Sequence, residues 1–585
     1  MPTVDGPEPQ SMAEARNWHV DSEKYVAAGN KELKGHHTKG TFVPCELPVG
    51  VKPIDTKLFF VRKSEPPSAE YPDGIRHKAR LVARGFTQIS GENFNWDTIF
   101  APVLRTSSIR WMFSQAAQEG WEMTGSDVVQ AFLQADLKTE EDDSDLQDIY
   151  IQLPKGCEIV QDDGKVLRYG RLVKALYGLK QAPKRWNKTF HDFITTKLGF
   201  VQHKDDPCLY QLTVGTSIII MGVYVDDLVK VSNDTALRKR IDDALKKEFD
   251  ITHTGAVREF LGMELEFRHT SDGRKYLNVS QGKYIDKILK RFKLDDCKIK
   301  SSPSVANEYL QPRKEDASTN DPDFVNLYRQ MIGALIYLVT LTRIDIAYDV
   351  SAVAMMMSNP TAEHHTAVVR IFRYLRGTRD YSLKYFDIPQ SLTLAGFVDS
   401  NYLGDHDSRS VTGFLFHSGA GLVSWLSKRQ PTIATSTSHA ETTALFHAVR
   451  EAIMHRDGAE GFRFQNDVLL TPTPIYVDNA VATALATDDS TKHTRTKHWA
   501  MAWNWLHEQR NLKTFYATWI PGPENYADLL TKPLNADLHL KICKGLNLLP
   551  LDDHCGDPCG DGIGVYVHKR LKTDKYGQYT ISGGG

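Results

Sequence analysis

Two aspartates stand side by side, Asp226 and Asp227, in the run Ser217-Ile-Ile-Ile-Met-Gly-Val-Tyr-Val-Asp-Asp-Leu-Val-Lys-Val. An Asp pair alone says little, because Asp is a common turn former. Here apolar, β-branched runs flank the pair, so the pattern predicts a β-hairpin with both carboxylates at its turn. Carboxylates projecting together from such a turn make a negative site suited to hard Mg²⁺ ions. Metal-assisted phosphoryl transfer needs more oxygen ligands than one pair supplies. Asp127, in Gly125-Ser-Asp-Val-Val-Gln-Ala-Phe-Leu, is placed where a strand pattern gives way to a helical one. Four further carboxylates recur downstream: Asp399 in Gly396-Phe-Val-Asp-Ser-Asn, Glu441 in Ser436-Thr-Ser-His-Ala-Glu-Thr, Asp478 in Ile475-Tyr-Val-Asp-Asn, and Asp528 in Asn525-Tyr-Ala-Asp-Leu-Leu-Thr-Lys-Pro. Asp399 and Asp478 end short apolar strand patterns, and Glu441 begins a helical run through Ala444, Leu445 and Ala448. Taken singly, each reads equally as a surface carboxylate or a helix cap.

The elements that must hold these residues can be read along the chain. Residues 1 to about 50 are polar, with one helix predicted around Met12 to Leu33, and read as a lead-in. Leu58-Phe-Phe-Val and Ala79-Arg-Leu-Val-Ala predict two strands joined by a loop containing Pro66, Pro67, Pro72 and Gly74. The acidic stretch Glu140-Glu-Asp-Asp-Ser-Asp lacks apolar periodicity and reads as an exposed loop, after which Ile149-Tyr-Ile-Gln-Leu resumes a strand. Tyr284, Ile285, Ile288, Leu289 and Phe292 recur at helical spacing, with Lys283, Lys287, Lys290 and Arg291 largely outside that stripe. A composition shift near Ser391 opens a region of short strands and helices, and the chain ends in a Gly-rich tail, Ser582-Gly-Gly-Gly.

A chain of 585 residues exceeds what one core supports and implies several structural units. Hydrophobic residues at 41% and charged residues at 25% are ordinary for globular chains, and the longest apolar run, Ile218 to Val225, is strand length. No membrane partner is expected, and the amino terminus lacks a basic start and an apolar segment, which predicts an intracellular, unsecreted protein. Seven cysteines, an odd number, fit reduced thiols, and Cys555 and Cys559 beside His554 lack a second ligand pair at zinc-site spacing. A net charge of −2 gives no global signature of nucleic-acid binding. Local basic patches do exist: Arg76, Lys78, Arg80 and Arg84; Lys174, Lys180, Lys184, Arg185 and Lys188; Arg370, Arg373, Arg376 and Arg379.

Three motifs in order carry a specific resemblance. Asp127-Val-Val-Gln-Ala-Phe-Leu, Leu176-Tyr-Gly-Leu-Lys-Gln-Ala-Pro-Lys-Arg-Trp and Tyr224-Val-Asp-Asp resemble the first three polymerase motifs of copia-type LTR retrotransposon reverse transcriptases. Phe260-Leu-Gly-Met-Glu-Leu resembles the primer-grip hairpin, the basic helix from Lys283 the start of the thumb, and Lys78-Ala-Arg-Leu-Val-Ala-Arg-Gly-Phe the fingers strand. The downstream carboxylates, with Ser424-Trp-Leu-Ser-Lys-Arg-Gln between the first two, resemble the ribonuclease H domain of the same elements. Tyr328-Arg-Gln-Met-Ile-Gly-Ala-Leu-Ile-Tyr-Leu, Thr342-Arg-Ile-Asp-Ile-Ala-Tyr and Arg370-Ile-Phe-Arg-Tyr-Leu-Arg-Gly-Thr resemble their connection region.

The resemblance covers roughly residues 15 to 535 and implies an α+β multidomain chain. Its parts are a right-hand polymerase of fingers, palm and thumb, a connection, and an α/β ribonuclease H-like domain. The implied boundaries are a lead-in over 1–40, fingers and palm over 41–285, thumb and connection over 286–390, ribonuclease H over 391–535, and an unassigned tail over 536–585. By the same resemblance, Asp127, Asp226 and Asp227 hold Mg²⁺ in one site and Asp399, Glu441, Asp478 and Asp528 in the other, two ions per site, with Mn²⁺ as an alternative. Phe132 lies under the nucleotide sugar, Lys78 and Arg80 meet the triphosphate, Gly178 and Pro183 shape a template-facing loop, and Gly178 and Gln181 count among the substrate-binding residues. The implied partners are an RNA template, a DNA or RNA primer, dNTPs, the RNA–DNA hybrid and other retrotransposon proteins, in a cytoplasmic virus-like particle or the nucleus.

Two departures stand out. Many ribonucleases H carry a loop histidine before the last aspartate, whereas this loop reads Pro521-Gly-Pro-Glu-Asn-Tyr; Arg495-Thr-Lys-His resembles another family motif and gives His498 a place near the substrate. No zinc knuckle, Asp-Thr/Ser-Gly protease motif or integrase His-His-Cys-Cys module is found, which reads as a fragment of a polyprotein or a degraded copy. The competing reading is a catalytically silent nucleic-acid-binding relic or structural subunit. A nuclease-only host enzyme leaves the first three motifs unexplained.

Overall fold

The computed structural model describes residues 8–18, 21–64, 67–68, 70–137, 148–160, 164–270, 273–312, 321–387, 394–402, 408–461, 471–480, 500–550, 572–573 and 579–580. The acidic loop near Glu140, His498 with its motif, the Cys555–Cys559 pair and the final glycines lie outside them.

Among the described residues, four sheets of five or six strands succeed one another. In the fingers, the long hairpin Ile54–Ser64 and Ile75–Ala83 pairs Lys57 with Val82 and Lys63 with Arg76. The palm sheet has six strands, with Glu122–Val128 between Ile251–Ala256 and Asp227–Ser232, followed outward by Ser217–Tyr224, Leu209–Val214 and Val201–Gln202. A third, antiparallel sheet runs Glu259–Phe260, Met263–His269, Lys275–Ser280, Tyr381–Phe386 and Leu549–Pro550. The fourth is mixed: Leu422–Arg429, Val411–His417 and Ala395–Asn401 are antiparallel, and Thr473–Val477 and Phe515–Trp519 continue it in parallel. Strands buried on both faces read as continuous apolar runs, which is why Ile218 to Val225 looked so apolar. This succession of sheets follows the order that the resemblance implies for fingers, palm, connection and a ribonuclease H-like domain.

Helices fill the layers between the sheets. Thr106–Gln118 buries Ile109, Trp111, Met112, Phe113 and Ala116 against the palm and beyond. Gly282–Arg291, Pro322–Leu341, Ala347–Ala354 and Ala362–Gly377 share one helical core around Leu289, Leu335, Val350 and Phe372. Pro322–Leu341 is long and apolar enough, by length and composition, to cross a membrane; here Met331, Ile332, Leu335 and Leu338 pack into that core.

Several expectations need correcting. The lead-in is an integral layer: Met12–Arg16 and Ser22–Thr38 are two helices, broken near Asp21, and Met12, Ala15 and Tyr25 pack on Leu58, Phe60 and Leu81 of the fingers hairpin. Residues 536–550 are no tail. Asn535 caps the helix Ala536–Gly545, which buries Ile542 and Cys543, and His539 Nε2 meets the Asp345 carbonyl at 2.9 Å. The third basic patch is an internal clasp, since Arg370 bonds Ser302, Arg373 and Arg376 bond the carbonyls of Lys298 and Cys297, and Arg379 pairs with Asp286. In the second patch, Arg185 is buried rather than solvated.

A buried imidazole, His455, marks the junction between palm and ribonuclease H-like layers. Trp111 Nε1 donates to His455 Nδ1 at 2.9 Å, and His455 Nε2 lies 2.7 Å from Ser424 Oγ. Burial holds His455 down to about 3, with Arg110 adding to the effect, and holds His417 down to about 4. The unfolded chain binds these protons near pH 6.5 and the fold refuses them, so the stability these neutral rings contribute is complete above about pH 6.5 and is lost progressively below it. Relative to His455→Gln, the wild-type chain should lose about 1.4 kcal/mol more per pH unit between about pH 6.5 and 4. Denaturant titrations of both proteins across that range measure the difference; parallel curves would remove His455 from the acid response.

Candidate active sites

The palm carboxylates meet because of strand register. Asp127 is opposite Asp227 across the antiparallel pair Glu122–Val128 and Asp227–Ser232, and Tyr224 is opposite Asp227 across the hairpin. The turn is therefore Val225-Asp226, and Asp227 already belongs to the strand. Val225 has φ of 57°, a left-handed conformation that a β-branched residue adopts only when its surroundings impose it. Two donors impose it: Trp186 Nε1 donates to the Val225 carbonyl at 2.6 Å, and the Val128 amide donates to the Asp226 carbonyl at 2.9 Å. Trp186 is itself fixed in the helix Ala182–Thr196, among Phe190 and Phe249.

Burial, then Asp226 and Asp127, push the Asp227 carboxyl up to about 6. Asp127 opens to solvent, yet partial desolvation and Asp226 raise it as well. The fingers supply opposing charge. Lys63 and Lys78 act electrostatically on Asp127, and burial followed by Arg80, Lys63 and Arg76 pushes Lys78 down to about 8. Arg80 is committed inside the protein, 3.2 Å from Glu32 and over the Tyr177 ring at 5.2 Å. Buried Glu32 also accepts from the Leu81 amide and from Gln130 Nε2, which joins the first helical layer to the segment after Asp127.

Phe132 lies in a four-residue 3₁₀ turn, Ala131–Gln134, not on the helix expected there, because Gln130 turns left-handed with φ of 53°. Its ring centroid is 4.8 Å from that of Tyr177. Gly178 has φ of +90°, and a Cβ there would lie 2.1 Å from the Ala83 carbonyl oxygen, so only glycine lets this loop meet the fingers strand. Gln181 is buried and bonded within the protein, accepting from Gln88 Nε2 at 2.9 Å and donating to the Asn93 carbonyl at 3.0 Å. Pro183 opens the helix that carries Trp186.

In the second site, Asp399 sits within the strand Ala395–Asn401, Glu441 one turn into the helix Thr437–Gly461, and Asp478 just after Thr473–Val477. Each contributes an oxygen such that all three lie within 4.8 Å of one another, a spacing no other such trio reaches among the described residues. Glu441 is buried, with Oε2 lacking any hydrogen-bond partner. Burial, then Asp399 and Asp478, drive its carboxyl well up. An oxygen-only donor set with an orphaned buried acceptor fits a hard divalent cation. Asp528, in the short 3₁₀ turn Tyr526–Leu530, is pushed up to about 7 by burial and Asp399. Lys532 Nζ lies 2.6 Å from Asp528 Oδ1 and 3.3 Å from Asp399 Oδ2, and the Thr531 hydroxyl donates to Asp399. In the loop before Asp528, which holds no histidine, Asn525 is buried, donates to the Val398 carbonyl at 3.0 Å and bonds Asp478.

Residues 39–306 match the family model described as reverse transcriptase (RNA-dependent DNA polymerase). The retrovirus-related Pol polyprotein from transposon TNT 1-94 of Nicotiana tabacum is 34% identical over 554 residues, covering 93% of this chain and 39% of the relative. An uncharacterized mitochondrial protein of Arabidopsis thaliana, AtMg00810, is 34% identical over 38% of this chain and 88% of its own length. A foamy viral protease-reverse transcriptase solved with double-stranded DNA aligns over 88% of this chain and 72% of its own, at 12% identity and a TM-score of 0.44. The chain belongs to the reverse transcriptase family of copia-type transposon Pol polyproteins. It spans about two fifths of the tobacco relative's length.

Sequence reasoning missed Trp186, Lys63, Asn525 and Lys532 as working residues. Trp186, Asn525 and Lys532 stood inside quoted motifs, but nothing local showed what they touch. Trp186→Phe keeps the ring's bulk and deletes the donor to Val225, leaving a buried carbonyl unpaired beside a strained residue. Its unfolding free energy should fall by ~1–3 kcal/mol, read from denaturant titration. Unchanged stability would show that Trp186 does not hold the turn.

Proposed function

We propose that this chain extends a DNA or RNA primer with dNTPs on an RNA or DNA template and hydrolyses the RNA strand of the resulting hybrid. The observation that carries the proposal is the pair of separate carboxylate sets, the first carried by two paired strands and a hairpin turn, the second by two neighbouring strands, a helix and a short 3₁₀ turn. Asp127, Asp226 and Asp227 are the ligands in the palm, and Asp399, Glu441, Asp478 and Asp528 those in the ribonuclease H-like domain. Mg²⁺ is the preferred ion because every donor is a hard oxygen. When bound, a divalent pair supplies charge neutralisation and activation of the attacking oxygen. The protein's own part is placement. Trp186 and Val128 fix the hairpin turn, and Lys78 faces the incoming triphosphate with a cation that Asp127 helps keep charged. Phe132, propped by Tyr177, blocks the space a 2′-hydroxyl would need. In the second domain the 2′-hydroxyl identifies the strand to be cut.

Two variants of one preparation test the assignment. Asp226→Asn should slow primer extension by about three orders of magnitude, or ~4 kcal/mol in the barrier, and leave cleavage of a labelled RNA–DNA hybrid intact. Glu441→Gln should do the reverse. If either folded variant keeps its own activity, that residue is not a ligand; if both activities fall together, the sites are not independent.

Phe132→Val should raise ribonucleotide incorporation while dNTP addition persists, because the smaller side chain opens room at the sugar. Unchanged discrimination between dNTP and rNTP takes Phe132 out of the gate.

A further inference from the structure

The four carboxylates of the ribonuclease H-like site are not equivalent. Asp399, Glu441 and Asp478 form one close group, and Glu441 Oε2 is left without a partner. Asp528 stands outside that group. Its link to Asp399 is an ammonium: Lys532 Nζ bridges Asp528 Oδ1 at 2.6 Å and Asp399 Oδ2 at 3.3 Å. The bridge is well placed to persist. Lys532 follows Asp528 by one turn, its side chain is about one-third exposed at 34%, and the Asp399 side chain beneath it is 2% exposed. Thr531, the preceding residue, donates its hydroxyl to the same Asp399 oxygen.

An ammonium lying between two carboxylates takes the oxygens that a second divalent ion at that place would require. Both cations cannot share them, since each needs the same lone pairs and the two charges repel at contact distance. Lys is suited to such a place, being a compact charge on a flexible stem that can swing away as a unit. We propose that Lys532 is the resident counter-cation of the Asp399–Asp528 position, so that the site takes a first divalent ion at Asp399, Glu441 and Asp478 and a second only by displacing Lys532. This rests on the nuclease reading of the domain and deepens it. The binding-competent fraction for the second ion is lowered by the fraction of time the lysine is seated, and its apparent affinity falls in proportion. The lysine thereby keeps Asp399 and Asp528 aimed at one another while no ion is present.

The test counts Mn²⁺ ions by electron paramagnetic resonance, using the full chain with Asp226→Asn and Asp227→Asn in every sample to weaken the palm site. With Lys532 intact, one ion should bind tightly and a second more weakly. Lys532→Met should tighten the second ion by about tenfold or more and lower the melting temperature in chelator, with Mn²⁺ restoring it. Second-ion affinity that is unchanged or weaker in Lys532→Met overturns the proposal and leaves a plain structural ion pair. If that variant does not fold without metal, Lys532→Arg decides. Its permanent charge must hold second-ion affinity at or below the wild-type value, and tighter binding overturns the proposal. Adding Glu441→Gln separates the two readings: it should abolish the tight ion, and a chain with no tight ion sensitive to Glu441 has lost the nuclease assignment itself.

Discussion

Seven carboxylates gathered in two places repel one another, and the repulsion is strongest where water is excluded. Asp227 is pushed to about 6, Asp528 to about 7, and Glu441 well up, each by burial first and neighbouring carboxylates second. A chain free to relax would spread these groups apart. The surrounding structure prevents that, and much of what is unusual in it follows from having to do so.

The two sites resist relaxation in different ways. In the palm, the carboxylates ride on a six-stranded sheet whose register sets Asp127 opposite Asp227, and the strained turn at Val225 is held from both sides by Trp186 and Val128. A left-handed β-branched residue costs on the order of 1–3 kcal/mol, and persists only when its surroundings over-determine it. Opposing charge arrives from another layer, through Lys63 and Lys78 of the fingers hairpin. In the second site the opposing charge is local. Lys532 comes from the same short segment as Asp528, and Asn525 ties that segment to the strand carrying Asp399. One site therefore depends on how two layers pack, the other on how one loop folds.

This difference explains what was legible in the sequence. Asp226, Asp227, Asp399 and Asp478 could be read because each follows an apolar strand pattern that needs no knowledge of distant residues, whereas Glu441 and Asp528 stood out only through the motifs around them. The fingers hairpin, the strand at Tyr150 and the helix Gly282–Arg291 were readable for the same reason. Contacts across long separations left no such trace. Trp186 reads as a helix-face aromatic, and Arg80 reads as a free cation until Glu32 appears beside it. The helix Ala536–Gly545 was invisible as a layer because its partner, Asp345, lies far back in the chain. Gln130 gave no warning that the chain would turn left-handed after Asp127, so a helix was expected where a 3₁₀ turn forms.

The same reasoning bears on how the two sites relate. Arg110, in the helix behind the palm sheet, is buried with its guanidinium 3.6 Å from the Trp425 ring centre. It donates to the carbonyls of Thr340 and Leu341 at the end of the long connection helix and of Val423 in the ribonuclease H-like sheet. Burial lowers it to about 10, against a smaller opposing pull from Tyr385 and Glu451. A buried cation in that position is costly unless all its partners stay in place. Palm helix, connection helix and second-domain strand are thus bound to one another through a single side chain, reinforced by Trp111 on His455 and Ser114 on Ser418. Their cores are also one: Met112 and Phe113 of the palm helix belong to the same buried cluster as Phe397, Leu415 and Leu445 of the second domain. A hinge between the two sites would have to open that cluster and strand Arg110 in it. The shared packing therefore opposes a hinge between the two sites.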